Sequence, residues 1–309
     1  MINFRYHVVS LTAVFLALAI GLVVGTAALN GPVSENLRAN LEALKKDNDV
    51  RRDQVNQARD ELNRNQDFAT ELAPVVLAGK LATRKIAVVS LPGAEDTADA
   101  VTKMLNVANA TVTARVRVEE KFLDPNYSNE LLDLADQSSQ VSIPVTSLPR
   151  NSDGVETASA LIALTLLQGT TSPTPDDVTA VLTGLSQAGY LGVEDNAAGG
   201  AEAIVLVAGE PATDKEATKK SAFAVTVAAQ FSMNRPLIVA GDGAGEGTLV
   251  AGVRSDPSLV KKISTVDNVS TVQGQVATAM TTTERLVQNK IGQYGLGTGS
   301  SSMVPSAAP

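Results

Sequence analysis

The chain of 309 residues contains no cysteine, no tryptophan and a single histidine, His7. Without cysteine it forms no disulfide, no thiolate zinc or iron–sulfur site, and has no cysteine nucleophile. One histidine near the N-terminus excludes a multi-histidine metal site and a histidine general base further along the chain. Aromatic residues make up 3% of the chain and apolar residues 44%, so the apolar material is mostly aliphatic. These absences argue against most standard enzyme chemistries, and we expect a protein that is not an enzyme and holds no cofactor.

Basic residues are also fewer than acidic residues. Lysine and arginine number 25 against 33 acidic residues, which gives a formal net charge of −8. A nucleic-acid surface needs a basic stripe that displaces counterions from phosphates. We therefore expect no nucleic-acid partner.

Residues 8–29 form an almost wholly apolar run with no acidic or basic side chain. At about 1.5 Å per residue, such a helix spans roughly 33 Å and crosses a hydrocarbon core of about 30 Å. The positive-inside rule, applied to Arg5, places residues 1–7 in the cytoplasm and the rest outside the cell membrane. A secretory signal cleaved near Ala27 is the alternative, although such signals have apolar cores of only about 7–15 residues.

Within this run, Gly21 and Gly25 have the small-xxx-small spacing that lets two membrane helices approach closely. Glycine is also common in membrane helices that do not pair. We predict that these two glycines pack against a second membrane helix.

Residues 34–72 predict a coiled coil. Sixteen of these 39 residues are charged, and apolar residues recur with 3-4 spacing, without glycine or proline. Pro32 and an N-cap at Ser34 predict that the helix begins there, and Pro74 closes the predicted seam. A parallel homodimer is favoured over an amphipathic helix folded back on the domain, because the apolar stripe is narrow. Besides Arg51, the predicted seam residues are Leu37, Leu41, Leu44, Asn48, Val55, Ala58, Leu62, Asn65, Ala69 and Leu72.

Residues 73–291 alternate short β-branched runs with helical patterns, which predicts a doubly wound, Rossmann-like α/β domain. Predicted strands cover 85–91, 111–118, 203–208 and 237–240. Predicted helices cover 94–108, 129–135, 156–167, 176–188, 214–231 and 272–288, and Thr174 is the predicted N-cap of the helix at 176–188. Residues 292–309 are rich in glycine, serine and proline, and we expect a disordered tail there.

The loops after two predicted strands do not support a dinucleotide. The loop at 90–95 has one glycine, Gly93, where the fingerprint requires three. The loop at 241–247 is glycine-rich, but no frame fits the fingerprint, and Asp242 and Glu246 would face any phosphate. A surface turn is favoured over a ligand or partner loop at 241–247.

Acidic and sulfur-containing residues give no clear site either. The acid pairs at 119–120 and 176–177 are adjacent and point in divergent directions, which favours helix-start or solvated acids over a hydrolytic pair. Copper(I) needs soft sulfur ligands, and the chain has five methionines without a Met-x-x-Met pair. Three of them lie in apolar helical stretches that are typical of a core.

Four segments together resemble the actinobacterial MctB family, which includes SteB-like cell-separation proteins. They are HVVSLTAVFLALAIGLVVG at 7–25, the coiled-coil region, ISTVDN at 263–268 and GQYG at 292–295. The resemblance covers nearly the whole chain, and none of these motifs is a catalytic signature. It implies either copper efflux or tolerance through an envelope channel, or a tethered protein that acts with a membrane partner and controls a peptidoglycan hydrolase.

The residues favour the second function. A pore needs several spans or a closed barrel, and direct copper passage needs soft ligands, whereas this chain has one span and few sulfur atoms. An anchor, a stalk and a head without an obvious site are typical of a scaffold. We predict a dimeric extracytoplasmic scaffold, with copper transport as the alternative.

Overall fold

The structure is a computed structural model that describes residues 4–140, 142–143, 146, 148–169, 173–194, 196–233 and 235–306. The chain divides into two compact units, Met1–Asn65 and Gln66–Pro309.

The chain begins with helix α1, Phe4–Leu77. Its first 24 residues, Phe4–Ala27, have a mean hydropathy of 2.6 and form a helix long and apolar enough to cross a membrane. The predicted helix start after Pro32 is wrong, because the backbone is helical through this position. The helix also continues past Pro74, where the predicted seam closes, to Leu77. A proline within a helix costs about 3 kcal/mol, and the residues next to Pro32 (Asn30, Gly31, Val33 and Ser34) are weak helix formers. The long helical stretches before and after this segment offset that cost.

The second unit contains seven strands and seven further α-helices among its described residues. The strands are β1 (Lys85–Ser90), β2 (Thr111–Val118), β3 (Leu191–Val193), β4 (Ala203–Val207), β5 (Leu237–Ala240), β6 (Ile263–Val266) and β7 (Gln293–Tyr294). The helices are α2 (Glu95–Val107), α3 (Ser128–Gln137), α4 (Gly154–Leu166), α5 (Pro175–Gln187), α6 (Ala217–Phe231), α7 (Leu249–Ser255) and α8 (Val272–Thr283).

All seven strands form one sheet in the order β3-β2-β1-β4-β5-β6-β7. Every pair is parallel except β2 with the short edge strand β3, which is antiparallel. Successive side chains of a strand point to opposite faces. In β1, Ala87 and Val89 therefore join one buried cluster, while Ile86 and Val88 join another. The predicted α/β class is confirmed, with apolar cores on both faces of the sheet.

Helix ends follow local capping chemistry. The Thr174 hydroxyl accepts a hydrogen bond from the Asp177 amide at the start of α5, as the sequence predicts. The predicted last helix begins at Val272 but changes at Thr283 into a π-helical turn, Glu284–Gln288.

The end of α1 belongs to the core of the second unit. Ala73, Leu77 and Leu81 are buried in the same cluster as Ile86. Between α1 and β1, Thr83 has a φ of 69°, which is a strained backbone conformation for a β-branched residue.

The predicted disordered tail is wrong for residues 292–306, and residues 307–309 lie outside the described residues. β7 pairs with β6, and Tyr294 is only 3% exposed. The Tyr294 hydroxyl donates to the carboxylate of Glu284, which is also buried. This burial and pairing stabilise a segment whose composition alone predicts disorder. The globular domain therefore extends beyond residue 291.

Candidate functional site

An apolar stripe runs along α1 at the predicted seam positions. Leu37, Leu44 and Leu62 are 59%, 65% and 51% exposed, although leucine is among the most commonly buried residues. Ala69 is half-buried, and the other predicted seam residues are exposed: Leu41, Asn48, Val55, Ala58, Asn65 and Leu72. The helix is thus present and its stripe is open to solvent in the single chain. Pairing of this stripe with a second chain stays a prediction.

The two glycines of the membrane segment also lie on an open face. A Cβ atom built on Gly21 or Gly25 meets no other atom within 4 Å. A second helix therefore has access to this backbone, and its identity stays a prediction.

In the second unit, a crevice of about 200 Å³ lies at the carboxyl edge of the sheet. It sits beside the boundary between β1 and β4, where the strand order changes direction. In open α/β sheets, ligands bind outside the carboxyl ends of the strands at such a switch point. The loops after β1, β2, β4 and β5 line the crevice together with α6.

Close packing of these loops shapes the crevice. A Cβ atom at Gly209 would lie 2.7 Å from the carbonyl oxygen of Pro92, so only glycine fits between the two loops. The Ser221 hydroxyl donates a 3.0 Å hydrogen bond to the carbonyl oxygen of Gly247. The loop at 241–247 is therefore tied to α6. Its residues 245–247 are exposed, as a surface turn predicts.

The crevice combines an apolar floor with a charged rim. Leu91, Leu123 and Leu249 are buried floor residues. At the rim, the Lys220 ammonium lies 2.5 Å from the Asp214 carboxylate. This hydrogen-bonded pair raises the pKa of Lys220 and lowers that of Asp214.

A separate polar groove lies along β2 and α2, where two arginines form ion pairs with carboxylates. Arg115 pairs with Asp99 and, at 3.0 Å, with Glu194. The Arg117 guanidinium donates to the Glu119 carboxylate at 2.8 Å, and this contact raises the pKa of Arg117. Glu95 also lines the groove, so four carboxylates share two arginines there and an excess of negative charge remains.

The acid pairs diverge, as predicted. Glu119 pairs with Arg117, whereas Glu120 reaches the rim of the crevice. Asp177 accepts hydrogen bonds from the Ser142 hydroxyl and amide, and these bonds lower its pKa. Asp242 accepts a 2.9 Å hydrogen bond from the Ser270 amide.

Two of the resemblance motifs meet in a buried polar cluster. Asp267 of the ISTVDN segment forms a 2.7 Å ion pair with Arg254, and both side chains are nearly inaccessible to solvent. Arg254 also donates to the carbonyl oxygen of Tyr294 in the GQYG segment at 2.7 Å. The motifs therefore hold the C-terminal segment against β6. Sequence reasoning missed this pair, because Arg254 lies outside both motifs.

The described residues contain no group of three or more histidine, cysteine, aspartate or glutamate side chains that could hold a metal ion. Met104 and Met280 pack against the core, as predicted. Met233 does not, because it follows α6 and is 62% exposed. The sequence contains no Met-x-x-Met pair.

The comparisons with known proteins agree with one another. The family model described as "Copper transport outer membrane protein, MctB" matches residues 1–305. The Copper transporter MctB of Mycobacterium tuberculosis (strain ATCC 25618 / H37Rv) is 27% identical over 319 residues, which cover 99% of this chain and 100% of the relative. The Copper transporter MctB of Mycobacterium leprae (strain TN) is 28% identical over 314 residues, or 98% and 99% of the two chains.

These relatives are named as transporters and not as enzymes. The family description and the N-terminal apolar helix both indicate a membrane-associated protein. The match over nearly the whole chain confirms the resemblance seen in the four sequence segments. The chain belongs to the MctB family.

Proposed function

We propose that this chain is a membrane-anchored, non-enzymatic scaffold of the cell envelope that dimerises through α1 and presents its α/β domain to a protein partner. The observation that carries the proposal is the exposed apolar stripe that follows the apolar membrane segment. A helix that stays unpaired in solvent gains no stability from leucines that are more than half exposed. A second chain with the same stripe would bury them.

The membrane anchor specifies the geometry of the dimer. Two copies that leave the same face of the membrane form a parallel coil, and Asn48 and Asn65 then face their own counterparts. Buried asparagine pairs reduce stability but specify register and strand number. Gly21 and Gly25 would let the membrane segments approach as well.

The partner is proposed to lie outside the cytoplasm. Arg5 favours a cytoplasmic N-terminus, so the α/β domain would face the cell envelope. A peptidoglycan hydrolase that acts during cell separation is the partner class implied by the resemblance to SteB-like proteins. The domain itself would recruit or position such an enzyme without chemistry of its own.

Cysteine cross-linking in membranes tests the stalk, because the wild-type chain has no cysteine and gives no background. Leu41→Cys and Leu62→Cys should each give a disulfide-linked dimer under mild oxidation, since identical seam positions meet in a parallel coil. The matched controls are Val50→Cys and Gln57→Cys, each two residues beyond a seam position and on the outer face. Equal cross-linking of seam and outer positions, or none at either seam position, would contradict the proposal.

Copper handling is the second candidate function, and the names of the family and its relatives favour it. It would rest on thioethers, which are neutral ligands without the charge of a thiolate. Copper(I) titration of the full chain against a competing chelator tests this candidate. Stoichiometric binding that survives micromolar chelator and is lost in a Met233→Leu, Met303→Leu variant would favour copper handling over the scaffold.

A further inference from the structure

We infer that the crevice at the carboxyl edge binds a basic peptide segment of the protein partner, with one aliphatic side chain inserted into the cavity above Leu91, Leu123 and Leu249. This inference rests on the proposed scaffold function and names the chemistry of the partner. It is carried by the position, the floor and the charge of the crevice.

The position is the first argument. Side chains and backbone from the ends of four strands meet at the switch point of the sheet. Gly209 keeps the loop after β4 in contact with the Pro92 carbonyl group, so the two walls are held at a constant separation. A site built on such short, packed loops is formed before a ligand arrives, which lowers the entropic cost of binding.

The floor determines the size of the anchor. Leu91, Leu123 and Leu249 leave an apolar cavity of about 200 Å³ that faces solvent. This volume accommodates one aliphatic side chain and is smaller than the roughly 300–1,000 Å³ of drug-sized ligand pockets. A dinucleotide is too large, and the loop sequences lack its phosphate-binding glycines.

The charges around the crevice determine which peptide residues can lie on either side of the aliphatic anchor. Two carboxylates line the crevice, Glu120 after β2 and Glu210 after β4, and Asp214 lies at its rim in the pair with Lys220. Among the described residues, Lys220 is the one cation that lines the crevice, and its charge also acts on Glu120. Because Lys220 pairs with Asp214, Glu120 and Glu210 leave an excess of negative charge. Lysine or arginine residues on both sides of the aliphatic anchor would complement this rim.

The acidic rim also argues against other occupants. Anionic ligands such as phosphates, acidic peptides and anionic polymers would meet the carboxylates of Glu120 and Glu210. The polar groove along β2 is not an alternative peptide site of the same kind, because its surface is mainly polar and offers no apolar cavity for an aliphatic anchor.

A random octapeptide library displayed on phage and panned on the full chain in nanodiscs tests the inference. Subtraction against an Ala212→Leu variant, which fills the crevice from a half-buried loop position, selects peptides that use the cavity. We expect enriched peptides with net positive charge and a central leucine, isoleucine, valine or methionine. Binding of a synthetic winner should weaken about tenfold or more when its aliphatic residue is replaced by glycine.

Rim variants provide a second measurement that does not depend on the filled cavity. Glu120→Gln with Glu210→Gln should weaken the same peptide about three- to tenfold at low salt. The matched control is Asp67→Asn with Glu71→Gln, which removes two exposed carboxylates of α1 that do not line the crevice. Enrichment of acidic peptides, binding that survives both the filled cavity and the rim variants, or association of the crevice with a second copy would overturn the inference. Cysteine cross-linking of the stalk reports separately on the scaffold proposal, so either can fail alone.

Discussion

Replacing Asp267 with asparagine removes one charge from the buried cluster that holds the C-terminal segment. The Asp267 carboxylate accepts hydrogen bonds from the Leu296 amide at 2.6 Å, from the Gly297 amide at 3.0 Å and from the Arg254 guanidinium at 2.7 Å. Both of its oxygens therefore face donors. An asparagine amide would point its own N–H groups at one of these donors in either orientation, and Arg254 would keep a buried charge without its partner.

The cost follows from this geometry. Removing one partner of a buried ion pair costs about 3–5 kcal/mol, because the remaining charge stays desolvated. A domain of this size loses about 2–4 °C in Tm for each kcal/mol, so Asp267→Asn should lower the Tm by about 10 °C. Thermal unfolding of the full chain in detergent, followed by circular dichroism at 222 nm, measures the shift. The matched control is Asp47→Asn, whose exposed pair with Arg51 should change stability by less than about 1 kcal/mol.

Hydrogen exchange identifies where the loss occurs. The amides of Leu296 and Gly297 should lose protection in Asp267→Asn, whereas the amides of β1 should change much less below the melting transition. A Tm within about 2 °C of wild type, or unchanged protection at these two amides, would refute the structural role assigned to the ion pair.

Three further predictions concern the stalk, its orientation and the junction with the domain. Leu41→Asp with Leu62→Asp should give monomers in sedimentation velocity. The control variant, Val50→Asp with Gln57→Asp, should stay dimeric. A seam variant that stays dimeric would show that the seam is not the contact between the chains. A reporter enzyme that is active only outside the cytoplasm, fused to the C-terminus, should be active, and activity of a cytoplasmic reporter alone would contradict the orientation. Thr83→Gly should raise the Tm by a few degrees, because glycine adopts a φ of 69° without the Cβ penalty of about 1–2 kcal/mol; Thr83→Ala, which keeps Cβ, should give no comparable gain.

Local patterns were sufficient for most elements of the second unit. β2 and β5 have their predicted bounds, and α5 has its predicted threonine cap, because periodicity and capping depend on residues a few positions apart. The same local rules failed at Pro32, which was expected to precede the start of a helix. The energetic cost of one proline does not end a helix when long helical stretches lie before and after it.

The features of the candidate site also differ in whether the sequence alone predicts them. The seam residues of α1 and the membrane glycines follow from spacing alone, because they lie along one helix. The crevice does not, since it brings together Gly93, Glu120, Gly209 and Gly247 from loops separated by many residues. Only the strand order places these loops at one edge of the sheet.

By itself, then, the sequence determined the apolar membrane segment, the charged helix with its apolar stripe, the α/β class and the lack of cysteine and histidine chemistry. These properties depend on composition and on short-range periodicity. The tertiary structure alone decided that the glycine- and serine-rich C-terminal segment is ordered, because Arg254 and Asp267 hold it through contacts that no local pattern encodes. It also decided where the acidic loops converge, because parallel strands bring their carboxyl ends to one edge whatever their separation in the chain.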